Sequence, residues 1–263
     1  MTWLASLPAG ALVAGSLAFA LAVALGSRTV IRAAVPTGER DHVQAIAAPL
    51  MPALGATFAV LMALTLVSEA NYLRSAQDIV STEAAQSSRL AWAATSAGVE
   101  TAPIQSALAK YLRATRAHEW RGAGTAERQD PSTARAISQL ERIVRAEAAR
   151  PALGTPTSTE LLASLDALTT ERRDRLAAAS RELPVLFVIT LVASGVALIV
   201  NAGALTFRSS VRTSLLVVGL AGVVALSLAL LFALSAPWDG PLVVSGQPID
   251  TVVRDLNAGF FRA

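Results

Sequence analysis

Charged residues vanish from four stretches of the chain: Met1 to Ser27, Val43 to Ser68, Leu183 to Phe207 and Thr213 to Trp238. Each is apolar and longer than the roughly 20 helical residues needed to cross a hydrocarbon core about 30 Å thick. The pattern predicts four transmembrane helices in an all-α, polytopic membrane protein. They form two pairs around a long polar insert, so both ends of the insert lie on one membrane face. The first stretch lacks a basic leader and is followed by Arg28 and Arg32, so it is expected to stay as a retained helix rather than a cleaved signal.

Helical periodicity continues between the pairs. No breaker stands between Val67 and Gly98, which predicts that the second span runs on through Asn71, Tyr72, Arg74 and Arg89 to Trp92. Pro49 and Pro52 are expected near the start of that span, where a missing backbone donor is best tolerated. Thr101 can cap a helix whose apolar positions Ile104, Leu108, Tyr111, Leu112 and Thr115 share one face. A glycine-containing loop over 121–129 follows. Asp130 with Pro131 then reads as a cap and first turn for a helix through Ile137, Leu140 and Val144. Thr157 with Glu160 forms a capping-box pattern, and the stripe from Leu161 to Leu183 is expected to run straight into the third span. The insert is thus a four-helix layer, and Leu242 to Ser245 carries the sole strand signal. The expected divisions are a first helix pair over 1–68, a helical stalk or vestibule over 69–183, a second pair over 184–238 and a C-terminal tail over 239–263.

Composition narrows the function. Of 263 residues, 53% are hydrophobic and 16% charged, against about a quarter charged in soluble domains. With no cysteine, disulfides, thiolate metal sites and cysteine nucleophiles are excluded. Between Glu69 and Glu182 stand 15 basic and 14 acidic residues, a net of +1, so the insert is no nucleic-acid arm. His118 and His42 have no second ligand at metal-binding spacing, and no nucleophile stands with a base, so neither a metal site, a cofactor nor an enzyme is expected.

Inside the spans the polar side chains are Thr57, Thr65, Thr190, Ser194 and Asn201, none ionisable, which disfavours a proton relay or ion-coupled carrier. A pore needs no buried charge. Gly10, Ala14, Ala18, Ala22 and Gly26 in the first span, and Ala221, Ala225, Ala229 and Ala233 in the fourth, form ridges of small residues that suit close helix packing within or between subunits. A dense cluster, Glu171 to Arg175, precedes the third span; it reads either as an ion-steering group or as a solvated helix face held by pairs one turn apart.

Several ordered stretches resemble the bestrophin-like domain family of bacterial membrane proteins. They are Gly55 with Phe58 to Leu61, Tyr111 followed by His118, Glu119 and Trp120, the Arg172, Arg173, Arg175 and Leu176 approach to Pro184, and Pro237 to Val244 with Trp238 where Phe is usual. The resemblance implies an oligomeric ion channel of the bacterial inner membrane, a pentamer by analogy, whose partners are the lipid bilayer, copies of itself and small ions. The second span would line the pore at Phe58, Leu61 and Thr65, and Arg172, Arg173 and Arg175 would supply vestibule charge. Asn71, Tyr72 and Arg74 are loosely similar to a bacterial bestrophin group, while Glu69 departs from it. The alternative is a membrane-anchored helical scaffold or signalling module. Short-loop arginines at 28, 32, 40, 208 and 212 place the insert outside by the positive-inside rule, whereas the resemblance places it in the cytoplasm.

Overall fold

The computed structural model describes residues 8–36, 38–120, 130–181, 184–206, 211–235, 238 and 241–262. The described residues form eight helices and no strand: α1 Ala9–Ala34, α2 Arg40–Ala93, α3 Thr101–His118, α4 Pro131–Ala148, α5 Thr155–Ala179, α6 Val185–Thr206, α7 Val211–Leu234 and α8 Gln247–Ala258. The loop expected over 121–129 lies outside the described residues, as do Leu183, Pro237, Asp239 and Gly240 of the sequence motifs. The chain divides into two compact units, Met1–Asn71 with Glu182–Leu242, and Tyr72–Arg181 with Val243–Ala263.

The first unit holds α1, the first part of α2, α6 and α7. Four helices, one in each of these places, are long and apolar enough to cross a membrane. Their outward faces stay apolar, with Leu186 74%, Leu216 72% and Leu64 67% exposed. Open apolar surface on every helix is costly in water and neutral in lipid. Facing inward, Ala20 and Ala24 of α1, Phe58 and Met62 of α2, Leu191, Leu198 and Ile199 of α6 and Val217, Ala221, Ala225 and Leu228 of α7 form one core. The small ridge of α7 packs inside the unit as its residue sizes suggest, whereas that of α1 does not. Gly10, Ala14, Ala18 and Ala22 are exposed, and α1 packs through Leu12, Ser16, Ala20 and Ala24 instead. Periodicity finds the stripe, and only the neighbours say which face is covered.

Polar side chains tie the helix ends of this unit. Arg28 donates to the Ser214 hydroxyl and, at 3.4 Å, to the Thr206 carbonyl, placing a cation at the C-terminus of α6 where the helix dipole favours it. Gln44 donates to the Leu205 carbonyl at 3.1 Å. Because α2 begins at Arg40, Pro49 and Pro52 sit in its interior rather than near its start. Each ring removes a ladder donor. The buried Asn201 side chain reaches across from α6 to donate to the Ala47 carbonyl at 3.0 Å, supporting α2 on the approach to the prolines.

In the second unit, α3 packs on α4 and α8, and α4 on α5. The run of α2 past Val67 continues to Ala93, and Asp130 caps α4 by accepting from the Ser132 and Thr133 amides. Three expectations change. Gly154, not Thr157, is the cap of α5, since Pro156 has a fixed φ suited to the first turn, and Glu160 is instead paired with Arg89 at 2.9 Å. The helix also fails to reach the third span: α5 ends at Ala179, with the Ser180 amide bonded to the Leu176 and Ala177 carbonyls, and α6 restarts at Val185. Finally, residues 242–245 form no strand. Side chains satisfy that backbone instead: Gln77 accepts from the Ser245 amide at 2.9 Å and donates to the Ser245 carbonyl at 3.3 Å, and the Trp120 indole donates to the Val244 carbonyl. The tail beyond it forms α8, closed by Gly259 at φ 70, a left-handed conformation that glycine adopts without a Cβ clash.

Candidate functional site

Two sets of side chains in separate units carry the functional expectations. On α2 in the first unit, Phe58 and Thr65 are buried and Leu61 half-buried, all turned toward the core of that unit. Gly195 of α6 makes room for Phe58: a Cβ there would stand 3.0 Å from Val224 Cγ1 and 3.3 Å from Phe58 Cε2. The Thr65 hydroxyl donates to the Leu61 carbonyl one turn back, at 2.7 Å. The open face of α2 carries Thr57, Val60, Leu64 and Val67.

In the second unit, α2, α3 and α5 bring together Glu83, Tyr111, Glu119, Trp120, Arg172 and Arg175. Tyr111 lies on α3 and Glu119 is the C-cap that ends it, while Arg172 and Arg175 lie one turn apart on α5, so both helices direct a pair to the same interior. Arg175 is the hub. Its Nε donates to Glu83 Oε2 at 2.6 Å and its Nη2 to Glu119 Oε2 at 2.8 Å. Arg172 Nη2 donates to the other Glu119 oxygen at 2.8 Å, and the Tyr111 hydroxyl donates to Glu83 Oε1 at 2.5 Å. Side-chain exposure is 1% for Arg175, 8% for Arg172 and 0% for both glutamates. The Trp120 ring lies under the Arg175 guanidinium at 5.9 Å and under Arg116 at 4.8 Å, while its indole donates to the Val244 carbonyl at 3.2 Å. Arg116 in turn forms a two-pronged pair with Asp250 of α8, at 2.7 and 2.9 Å.

Two cations and two anions leave the buried set neutral, the condition under which interior charge is tolerable. Burial by itself disfavours the charged Arg175, but Glu83, Tyr111 and Glu119 outweigh it and hold its pKa above the usual arginine value. Burial, reinforced by Glu83, pushes the Tyr111 phenol well above its ordinary range, which keeps it a proton donor. Arg172 and Arg175 therefore direct their charge to the carboxylates of Glu83 on α2 and Glu119 at the end of α3 rather than to solvent or to neighbours one turn away. Arg173, between them, is exposed.

A family model described as the Bestrophin-like domain matches residues 18–249. The chain belongs to that family. No curated protein and no solved structure matches it.

Every member of the network lies inside the bestrophin-like match. The resemblance had marked its Tyr111, Glu119, Trp120 and arginine positions without saying that they meet. Glu83 was missed, because nothing in a long polar helix distinguishes one glutamate among exposed neighbours. A weak signal was available: Glu83 continues the stripe of small and apolar residues Ala76, Val80, Ser87 and Leu90, all buried. Tyr72 closes the same unit further along, donating to the Ala178 carbonyl with Arg181 4.4 Å over its ring.

Proposed function

We propose that this bestrophin-like protein is a multi-pass protein of the bacterial inner membrane that assembles from identical copies into an ion channel, with α2 lining the pathway. The observation that carries the reading is the helix itself: α2 runs unbroken over 54 residues from an apolar, span-length segment into the second unit. In this reading the open face at Thr57, Val60 and Leu64 meets the permeation path. Phe58, Leu61 and Thr65 set the rotation of α2 by seating it on α6 and α7, and Arg173 supplies accessible charge near the pathway, with Arg172 and Arg175 holding its helix in place.

Full-length protein reconstituted in liposomes should pass ions when challenged with a panel of anions and cations. Leu64→Glu on the open face should shift the flux toward cations. Absence of flux across the panel from folded, reconstituted protein refutes conduction. A second reading, a membrane-anchored helical scaffold, is favoured by the burial of Phe58 and Thr65 within one copy and by the neutralised arginines. It expects silent liposomes, unchanged assembly in the Leu64→Glu variant and a defined partner on crosslinking.

A further inference from the structure

A groove of about 640 Å³ runs along α4 beside α3, within the range of small-ligand sites. Its lining includes Lys110 from α3 and Ser132, Arg135, Ser138, Gln139 and Arg142 from α4, and no carboxylate among the described residues. The absence is local. Elsewhere in the same unit Arg89, Arg116, Arg150, Arg172 and Arg175 each pair with a glutamate or aspartate. In the groove, by contrast, Lys110 donates to the neutral Gln139 amide at 3.1 Å, and Arg135 uses its Nε on the Pro131 carbonyl, also at 3.1 Å, leaving the outer guanidinium nitrogens to face solvent. Of the acids nearest in sequence, Asp130 accepts from the Ser132 and Thr133 amides and from the Ser132 hydroxyl, and Glu141, beside Arg142, does not line the groove.

We propose that this groove binds a soluble small molecule carrying two or more phosphate groups. Arg135 and Arg142 are seven residues apart on one helix face, about 10 Å along the axis, and so address separate anionic groups rather than one. Lys110 adds a point charge between the helices, and the Ser138 hydroxyl is a hydrogen-bond donor suited to phosphate oxygens. Arginine forks and an ammonium in one cradle match the geometry and charge of a polyphosphate, while the bounded length of the groove fits a small molecule better than an acidic polypeptide. The site is independent of whether the protein conducts.

Sodium tripolyphosphate serves as the probe, titrated calorimetrically into the detergent-solubilised full-length protein at 0.1 M and at 0.3 M salt, which shortens the screening length from about 10 Å to about 6 Å. Saturable binding is expected, weakened at least tenfold in a Lys110→Ala/Arg142→Ala variant and by added salt. Arg254→Ala/Arg262→Ala, which removes the same charge elsewhere in the unit, should bind within about twofold of the parent. All four side chains are exposed, so an unchanged melting temperature is expected for both variants and is checked first. In a parallel arm the protein is placed in nanodiscs with and without phosphatidic acid. Absence of tripolyphosphate binding, or equal weakening in both variants, overturns the proposal. So does binding that appears only as a Lys110- and Arg142-dependent preference for phosphatidic acid, which would assign the groove to a lipid headgroup.

Discussion

Replacing Arg175 with Met tests whether the buried network holds the second unit together. The substitution keeps an unbranched, apolar stem of similar length and deletes the two charge-assisted bonds at 2.6 and 2.8 Å. Glu83 keeps its bond from Tyr111 and Glu119 keeps Arg172, but the enclosed set moves from neutral to a charge of −1, at positions where both carboxylates are fully enclosed. Breaking a buried pair by removing one partner costs about 3–5 kcal/mol, because the remaining charge stays desolvated. For a unit of this size that corresponds to a fall in melting temperature of roughly 10–20 °C. Thermal unfolding followed by tryptophan emission reads it directly, since Trp120 is buried against Arg175. Arg175→Lys should recover less than half of the loss, as an ammonium does not reproduce a planar fork bridging two carboxylates. Adding Glu83→Gln to Arg175→Met should raise the melting temperature above that of the single variant by restoring neutrality. Arg89→Ala, which breaks an exposed pair, is the reference. An Arg175→Met melt no lower than that of Arg89→Ala would refute the reasoning, as would failure of the second substitution to rescue.

Alkaline pH should act on the same network through Tyr111. Its phenol has a raised pKa in the folded state, so the folded protein binds more protons than the unfolded chain above about pH 10; the tyrosine's contribution is whole below that pH and lost as pH rises further. Stability measured between pH 9 and 11.5 should fall, and Tyr111→Phe, which costs about 1–3 kcal/mol at neutral pH by leaving the buried Glu83 Oε1 without its donor, should flatten the decline. In the first unit, Gly195→Ala should destabilise by about 1–3 kcal/mol because its methyl meets Val224 and Phe58 at 3.0 and 3.3 Å, and Val224→Ala added to it should recover part of the loss in a detergent-unfolding assay.

The elements were readable for local reasons. Span lengths, the Asp130 and Pro131 start of α4 and the long run of α2 are all properties of a few consecutive residues, and they are present in the folded chain. Errors arose where two local rules competed. Thr157 and Glu160 have capping-box spacing, yet Gly154 and Pro156 three residues earlier start the helix first, which frees Glu160 for Arg89. The stripe through Leu176 and Ala179 suggests one helix into the third span, yet α5 closes at Ser180, whose amide bonds back to the Leu176 and Ala177 carbonyls. The C-terminal residues read as a tail because α8 is only 12 residues long, a length marginal in isolation that acquires stability by packing on α3.

What the chain determines alone is therefore its class: helices, four of them long and apolar enough for a bilayer, with a charge-balanced insert. These follow from composition and periodicity, which are summed along the chain and need no partner. Which arginines remain accessible is a different kind of fact. Arg172, Arg173 and Arg175 are chemically equivalent in sequence, and only the positions of Glu83, 92 residues before Arg175, and Glu119 at the end of α3 bury the outer two and leave the middle one in solvent. The same holds for the small ridge of α1 and for Phe58, since a helix has several plausible faces and the free energy of burial depends on what covers each one. Tertiary packing made those choices.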